Sequence, residues 1–316
     1  MRYIGLRLFG AIVTLFVSSV AVFSMIRLIP GDPITVLLGQ AYDPKVAASL
    51  RQRYGLSGSV VRQYLSWLND TLHGNFGYSI ANQQLVSAQL AQRIVRTLEL
   101  LGGGVIVGML IAIPAGVIAA RRRGRAPDLA VMTFTTAMLS IPQFVLGIVL
   151  IIIFGVQLKV LPAGGWVDPH SSLTGWFKSM ILPWATIGLT MCAFTARVLR
   201  SSMLDAFSQD YVRTARAWGV SERRITRLHV LKNAAVPTLT VVGLEIGYLL
   251  GGALVVEQVF AYPGMGQLLI QSIAGRDYPV VQAAVLVFAV GFVIINFLVD
   301  ILYVVIDPRI RNRRVA

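Results

Sequence analysis

The sequence predicts an all-α, polytopic membrane protein with six transmembrane helices and both termini in the cytoplasm. Three observations predict it: a very apolar composition, six apolar segments of spanning length, and an uneven placement of basic residues. Of the 316 residues, 56% are hydrophobic and only 13% charged, about half the charged share of a soluble domain. One aqueous core could not bury that much hydrocarbon, so the bilayer is the natural solvent.

A helix needs about 20 apolar residues to cross roughly 30 Å of hydrocarbon. The qualifying segments are 8–29, 98–120, 129–157, 179–200, 236–260 and 279–306. The first follows Arg2 and Arg7, the charge order of a secretory signal, but Arg27–Pro33 offers no small-residue cleavage site. It reads as a retained helix. Residues 100–120 and 129–158 carry no charge until Arg121 and Lys159, the fifth span contains Glu245 and the sixth Asp300.

The net charge of +14 would suggest nucleic acid on a soluble protein, but here position decides. With the N-terminus inside, the cytoplasmic segments hold Arg2 and Arg7, four arginines from Arg121 to Arg125, eight basic residues from Arg197 to Lys232, and four from Arg309 to Arg314. Outside, the short loops hold only Lys159, Lys178 and Arg276. The remaining seven lie in the long segment 27–96, where the positive-inside rule has little force. No nucleic-acid partner is implied.

Three regions follow: residues 1–29 with the first span, an external helical extension over 30–97, and a core of five helices over 98–316 with a cytoplasmic segment at 201–235. The external stretch has Val46, Leu50 and Tyr54, then Leu65, Leu68 and Leu72, at helical spacing. It is too long for a plain loop.

Gly243, Gly247 and Gly251 stand four apart on the fifth span, a face that lets another helix or a second subunit approach closely. Gly104, Gly108, Ala112 and Gly116 form a weaker version on the second. Pro114 and Pro142 predict kinks, and Pro279 opens the last span. Acids in hydrocarbon are functional or paired. Asp300 lies near the cytoplasmic end, Glu257 near the outer end, and Glu245 alone lies deep enough for a proton or cation site. Cys192, the single cysteine, reads as a small buried hydrophobe. His73, His170 and His229 are scattered, so no metal site is expected.

Asp210–Gly219 predicts a short helix ended by a left-handed glycine. Ser221 is placed to cap the next helix, with Glu222 in its first turn. Ala215 and Ala217 leave room for a partner surface. There is no GxxxxGK[ST] phosphate loop, HExxH, CxxC or nucleophile elbow, so no ATP hydrolysis by this chain is expected.

In this segment the sequence resembles the permeases of binding-protein-dependent ABC importers, whose EAA-type coupling helix docks into a groove of the ATPase subunit. The resemblance is sharper with the dipeptide/oligopeptide/nickel/glutathione group: Asp210–Ser221 and Leu231–Pro237 match DYVRTARAxGxS…LKNAxxP. Pro30-Gly31-Asp32-Pro33, Gly74–Ser79, Val256-Glu257 through Leu269, Asp277-Tyr278-Pro279 and Asp307–Arg311 match further motifs of that group. One departure is Arg213, at the position of the EAA glutamate.

The resemblance implies a type I importer permease in a bacterial inner membrane. It implies a coupling role for Asp210, Tyr211, Thr214, Ala215, Ala217, Gly219 and Ser221. Glu257, Pro263, Gly264 and Gly266 would belong to an external re-entrant loop. Expected partners are a homologous second permease, two ATP-binding subunits carrying ATP and Mg, an external substrate-binding protein and membrane lipid. No cofactor is expected on this chain. The implied cargo is dipeptide or oligopeptide, with glutathione or nickel chelates as alternatives. Two other readings stand beside it: an ion-coupled transporter using Glu245, and a membrane scaffold whose basic loop binds anionic lipid.

Overall fold

In the computed structural model, residues 2–28, 43–53 and 58–306 are described; they form helices joined by turns and loops, with one isolated antiparallel bridge between Tyr78 and Leu85. Pro30-Gly31-Asp32-Pro33 and Asp307–Arg311 lie outside the described residues, as does the side chain of Asp300.

The helices are α1 (Arg2–Leu28), α2 (Pro44–Arg53), α3 (Val60–Leu72), α4 (Val86–Arg121), α5 (Ala126–Ser140) and α6 (Gln143–Leu150). They continue with α7 (Leu173–Phe207), α8 (Asp210–Ala217), α9 (Glu222–Arg224), α10 (Leu231–Val259), α11 (Met265–Ala274) and α12 (Tyr278–Ile306). Wide π-helical turns extend α6 through Ile151–Gln157 and join α9 to α10 through Ile225–Val230.

Among the described residues, five helices are long and apolar enough to cross a membrane: α1, α4, α7, α10 with its α9 lead, and α12. The sixth span departs from the continuous helix expected over 129–157. It is two helices, α5 and then α6 with its π turn, bent by 103° at Ile141–Pro142. Pro142 has no amide hydrogen, and its ring disfavours helical backbone at the residue before it. Ile141 is accordingly extended (φ −93, ψ 121). Just before the break two hydroxyls bond back to the preceding turn: Ser140 Oγ donates to Thr136 O at 2.9 Å, and Thr136 Oγ1 to Met132 O at 2.8 Å. Pro114, by contrast, is carried within α4 as one helix.

The chain divides into two units, residues 1–97 with 263–294 and residues 98–262 with 295–316. In the first, α1 packs on α3: the Phe23 ring meets Tyr64 edge-on at 5.2 Å and Trp67 at 5.6 Å, and Ser19 Oγ hydrogen-bonds Tyr64 Oη at 2.8 Å. Val86 and Leu90 of α4, Met265 and Leu268 of α11, and Val280 and Ala284 of α12 form its buried core. Asp277, just before α12, is buried and fixes the turn after Gly77. It accepts from Ser79 Oγ at 2.5 Å and from the amides of Ile80 and Ala81 at 3.0 and 3.4 Å.

In the second unit, α4 and α7 meet along small residues. A Cβ at Gly104 would come within 2.5 Å of Ile187, one at Gly116 within 3.0 Å of Ala196 O, and one at Gly188 within 2.9 Å of the Gly108 amide. Such backbone approach is how membrane helices gain packing energy where apolar burial gives none. The three glycines of the fifth span separate. Gly243 lies against the Val299 side chain of α12, Gly247 is buried, and Gly251 faces open space.

Candidate functional site

The cytoplasmic segment between α7 and α10 is built on an apolar cluster of its own. Leu199, Met203 and Ala206 of α7, Ala120 of α4, and Ile225, Val230 and Ala234 at the start of the α9–α10 element receive Val212 of α8. Val212 is fully buried, and Ala215 and Val220 pack against the same cluster. Ala215 therefore faces the chain's own core, whereas Ala217 is exposed. Asp210, Tyr211, Thr214, Trp218 and Gly219 lie on the outer face with it.

The helix stops where the sequence predicts. Gly219 has φ +73; its amide donates to Arg216 O at 2.9 Å, and the Val220 amide donates back to Ala215 O at 3.0 Å. That pair of bonds is a Schellman closure, which needs a left-handed residue where glycine is least strained. Ser221 is extended and precedes α9, but its side chain makes no capping bond; its carbonyl accepts from Arg224 and Ile225 at 2.9 and 3.0 Å. Glu222 instead takes two bonds from Arg216, at 2.6 and 3.3 Å, bridging Gly219. The carboxylate holds the Arg216 guanidinium above its ordinary pKa. Asp210 pairs only loosely with Arg213, at 3.4 Å with both side chains exposed, and Tyr211 Oη accepts from Asn233 Nδ2 of α10 at 3.2 Å.

Three polar links were not legible in sequence, because each joins residues far apart in the chain. Arg200 of α7 binds the buried Asp128 carboxylate at 2.5 and 2.7 Å, and Asp128 also accepts from the Gly124 amide at 2.8 Å. This anchors the loop after α4. Thr195 Oγ1 of α7 donates to Glu245 Oε2 of α10 at 2.6 Å, with Thr195 buried and Glu245 half-buried. The third is the clamp of Asp277 on Ser79. The sequence motifs held both residues without showing that they meet.

At the outer end of α10, Glu257 is fully buried. The chain then turns through Ala261 (φ +48), Tyr262, Pro263 and Gly264 into α11, with Gly266 buried. The Gly165 amide donates to Phe260 O at 2.7 Å, fastening the loop before α7 to this turn.

A helical membrane protein whose spans converge on a cytoplasmic helix–Gly–helix segment has the architecture of an importer's membrane subunit. The chain belongs to the family of binding-protein-dependent transport system inner membrane components: the family model matches residues 112–312, and the companion model of its N-terminal part matches residues 1–101. It is 40% identical over 313 residues to the glutathione transport system permease protein GsiC of Escherichia coli K12, covering 99% of this chain and 100% of that protein. The match to GsiC of Shigella dysenteriae serotype 1 has the same extent and identity.

In fold, the chain is similar to the MetNI methionine ABC transporter in inward-facing conformations, with a TM-score of 0.56 at 20% identity over 69% of this chain and 96% of that one. An amino acid ABC transporter with histidines gives 0.53 at 15% identity over 69% and 94%. The chain is thus a multi-pass inner-membrane permease of the type I ABC importer fold.

Proposed function

We propose that this chain forms half of the translocation pathway of an ATP-driven importer for short peptides, glutathione foremost. The observation that carries the cargo reading is the 40% identity, end to end, to a glutathione permease. Two ATP-binding subunits, a homologous second permease and an external binding protein complete the assembly. ATP closes the two ATPase subunits, and the outer face of α8, with Asp210, Tyr211, Thr214, Ala217 and Gly219, takes up that motion. Val212 and Ala215 pass it to α4, α7 and α10 through the cluster beneath them. The spans then alternate between two packings, as transport switches do.

The other roles follow from placement. The extension over 30–97 is the landing surface for the binding protein, and Glu257, Pro263, Gly264 and Gly266 shape the external loop. The open Gly251 and the exposed Leu244 and Tyr248 form the α10 face for the second permease. Gly243 packs inside the chain and Gly247 supports the same helix.

The test is reconstitution of the whole assembly in vesicles with labelled glutathione and a labelled dipeptide. Uptake of glutathione that needs ATP and the binding protein is expected. Uptake of the dipeptide alone would overturn the cargo, and uptake without the ATPases would overturn the importer.

A further inference from the structure

At the cytoplasmic ends of α4 and α7 lies a recess of about 410 Å³. One wall is apolar, from Ala120, Leu204 and Phe207. The rest is polar: Arg121, Arg123, Arg216, Ser208 and Glu222. Three arginines thus face one glutamate, and that glutamate is already taken by Arg216. Among the described residues, no carboxylate stands within ion-pair distance of Arg121 or Arg123, which act on Glu222 and Asp128 only as more distant charges.

The depth of the recess narrows the ligand. Arg121 directly follows the apolar segment 98–120 of α4, so the arginine wall of the recess stands at the cytoplasmic end of that span, at headgroup level. The ligand must therefore satisfy a surplus of guanidinium and also cover an apolar wall. A small soluble anion meets the first requirement and leaves the wall wet. A phosphodiester with acyl chains meets both.

We infer that this recess is a binding site for an anionic phospholipid of the inner leaflet. The phosphate lies among Arg121, Arg123 and Arg216, and the first acyl carbons run along Ala120, Leu204 and Phe207. Basic pockets between membrane helices on the cytoplasmic side are suited to such headgroups.

The site has a consequence for coupling. Ala120, Leu204 and Phe207 also belong to, or pack against, the cluster that seats α8, and Arg216 is the residue whose bond to Glu222 bridges Gly219. A bound phosphate competes with Glu222 for Arg216. Lipid occupancy therefore loosens the clamp across the end of the coupling helix. None of this depends on what the importer carries.

The test uses the delipidated full-length chain in detergent, with bound lipid counted by native mass spectrometry. Phosphatidylglycerol, phosphatidylcholine and inorganic phosphate are the probes. The chain should retain one phosphatidylglycerol at concentrations where phosphatidylcholine is lost and millimolar phosphate does not displace it. Arg121→Gln and Arg123→Gln should each weaken retention about fivefold, from roughly 1 kcal/mol per basic residue near an anionic lipid. Arg122→Gln, in the same loop but outside the recess, is the matched control and should change nothing. Glu222→Gln should tighten retention by releasing Arg216. Equal loss in all three arginine variants would reduce the effect to a diffuse surface field and overturn the site. Displacement by phosphate would overturn its assignment to lipid.

Discussion

Asp277 shows how much one buried acceptor can organise. Its carboxylate takes the Ser79 hydroxyl and the Ile80 and Ala81 amides, so Asp277→Asn turns an amide hydrogen toward donors that have no other acceptor there. A buried donor left unpaired costs about 1–3 kcal/mol. The variant should lose protease resistance in residues 74–85 while the spans stay intact, and Ser79→Ala should do so more weakly. Unchanged cleavage in both would show that the turn holds without the clamp. Glu245 calls for the opposite expectation. Thr195 supplies its hydrogen bond, and an amide oxygen can accept that bond as a carboxylate does. In the reconstituted importer, Glu245→Gln should therefore leave ATP-dependent uptake at the wild-type level. Abolished uptake with intact ATP turnover would make Glu245 an ion carrier and revive the ion-coupled reading.

At the scale of elements, α8 matters because its ending is set by backbone conformation rather than by crowding. A Cβ at Gly219 meets nothing within 4 Å, yet φ is +73. Asparagine tolerates that region and a β-branched residue does not. Gly219→Asn should keep coupling near wild type, whereas Gly219→Val should leave ATP turnover running and sharply reduce uptake, read as the ratio of cargo moved to ATP consumed. An unaltered ratio in Gly219→Val would remove the segment from the coupling path. The glycine was legible because helix ends announce themselves locally. The bond between Arg216 and Glu222 was less so, since Glu222 sits equally well in a first helical turn, and only the geometry shows which cation it meets. The same limit hid the link from Arg200 to Asp128. Two charges 72 residues apart give no periodic signal, and Asp128 reads as an ordinary acid at a helix start.

For the whole molecule, hydropathy reveals where hydrocarbon length suffices but not whether the segment stays straight. Residues 129–157 carry no charge and stay apolar enough to span, so hydropathy is silent about the 103° bend, and only Pro142 marks it. The bend raises a topological question that the charges answer. If α5 and α6 together cross the membrane, α7 runs inward and the six basic residues from Arg213 to Lys232 lie in the cytoplasm. If the pair returned to the side it left, α7 would run outward and carry those residues across, against the positive-inside rule for a short loop. Single cysteines in a Cys192→Ala background distinguish the two. Cys192 is fully buried and is the only cysteine, so its removal clears the background. Val160→Cys, at an exposed site after the π turn, should react with an impermeant maleimide added outside intact spheroplasts. Arg125→Cys should react only in inverted vesicles. Labelling of both from one side would make the bent pair a re-entrant loop, reverse α7, and place α8 where no cytoplasmic ATPase could reach it.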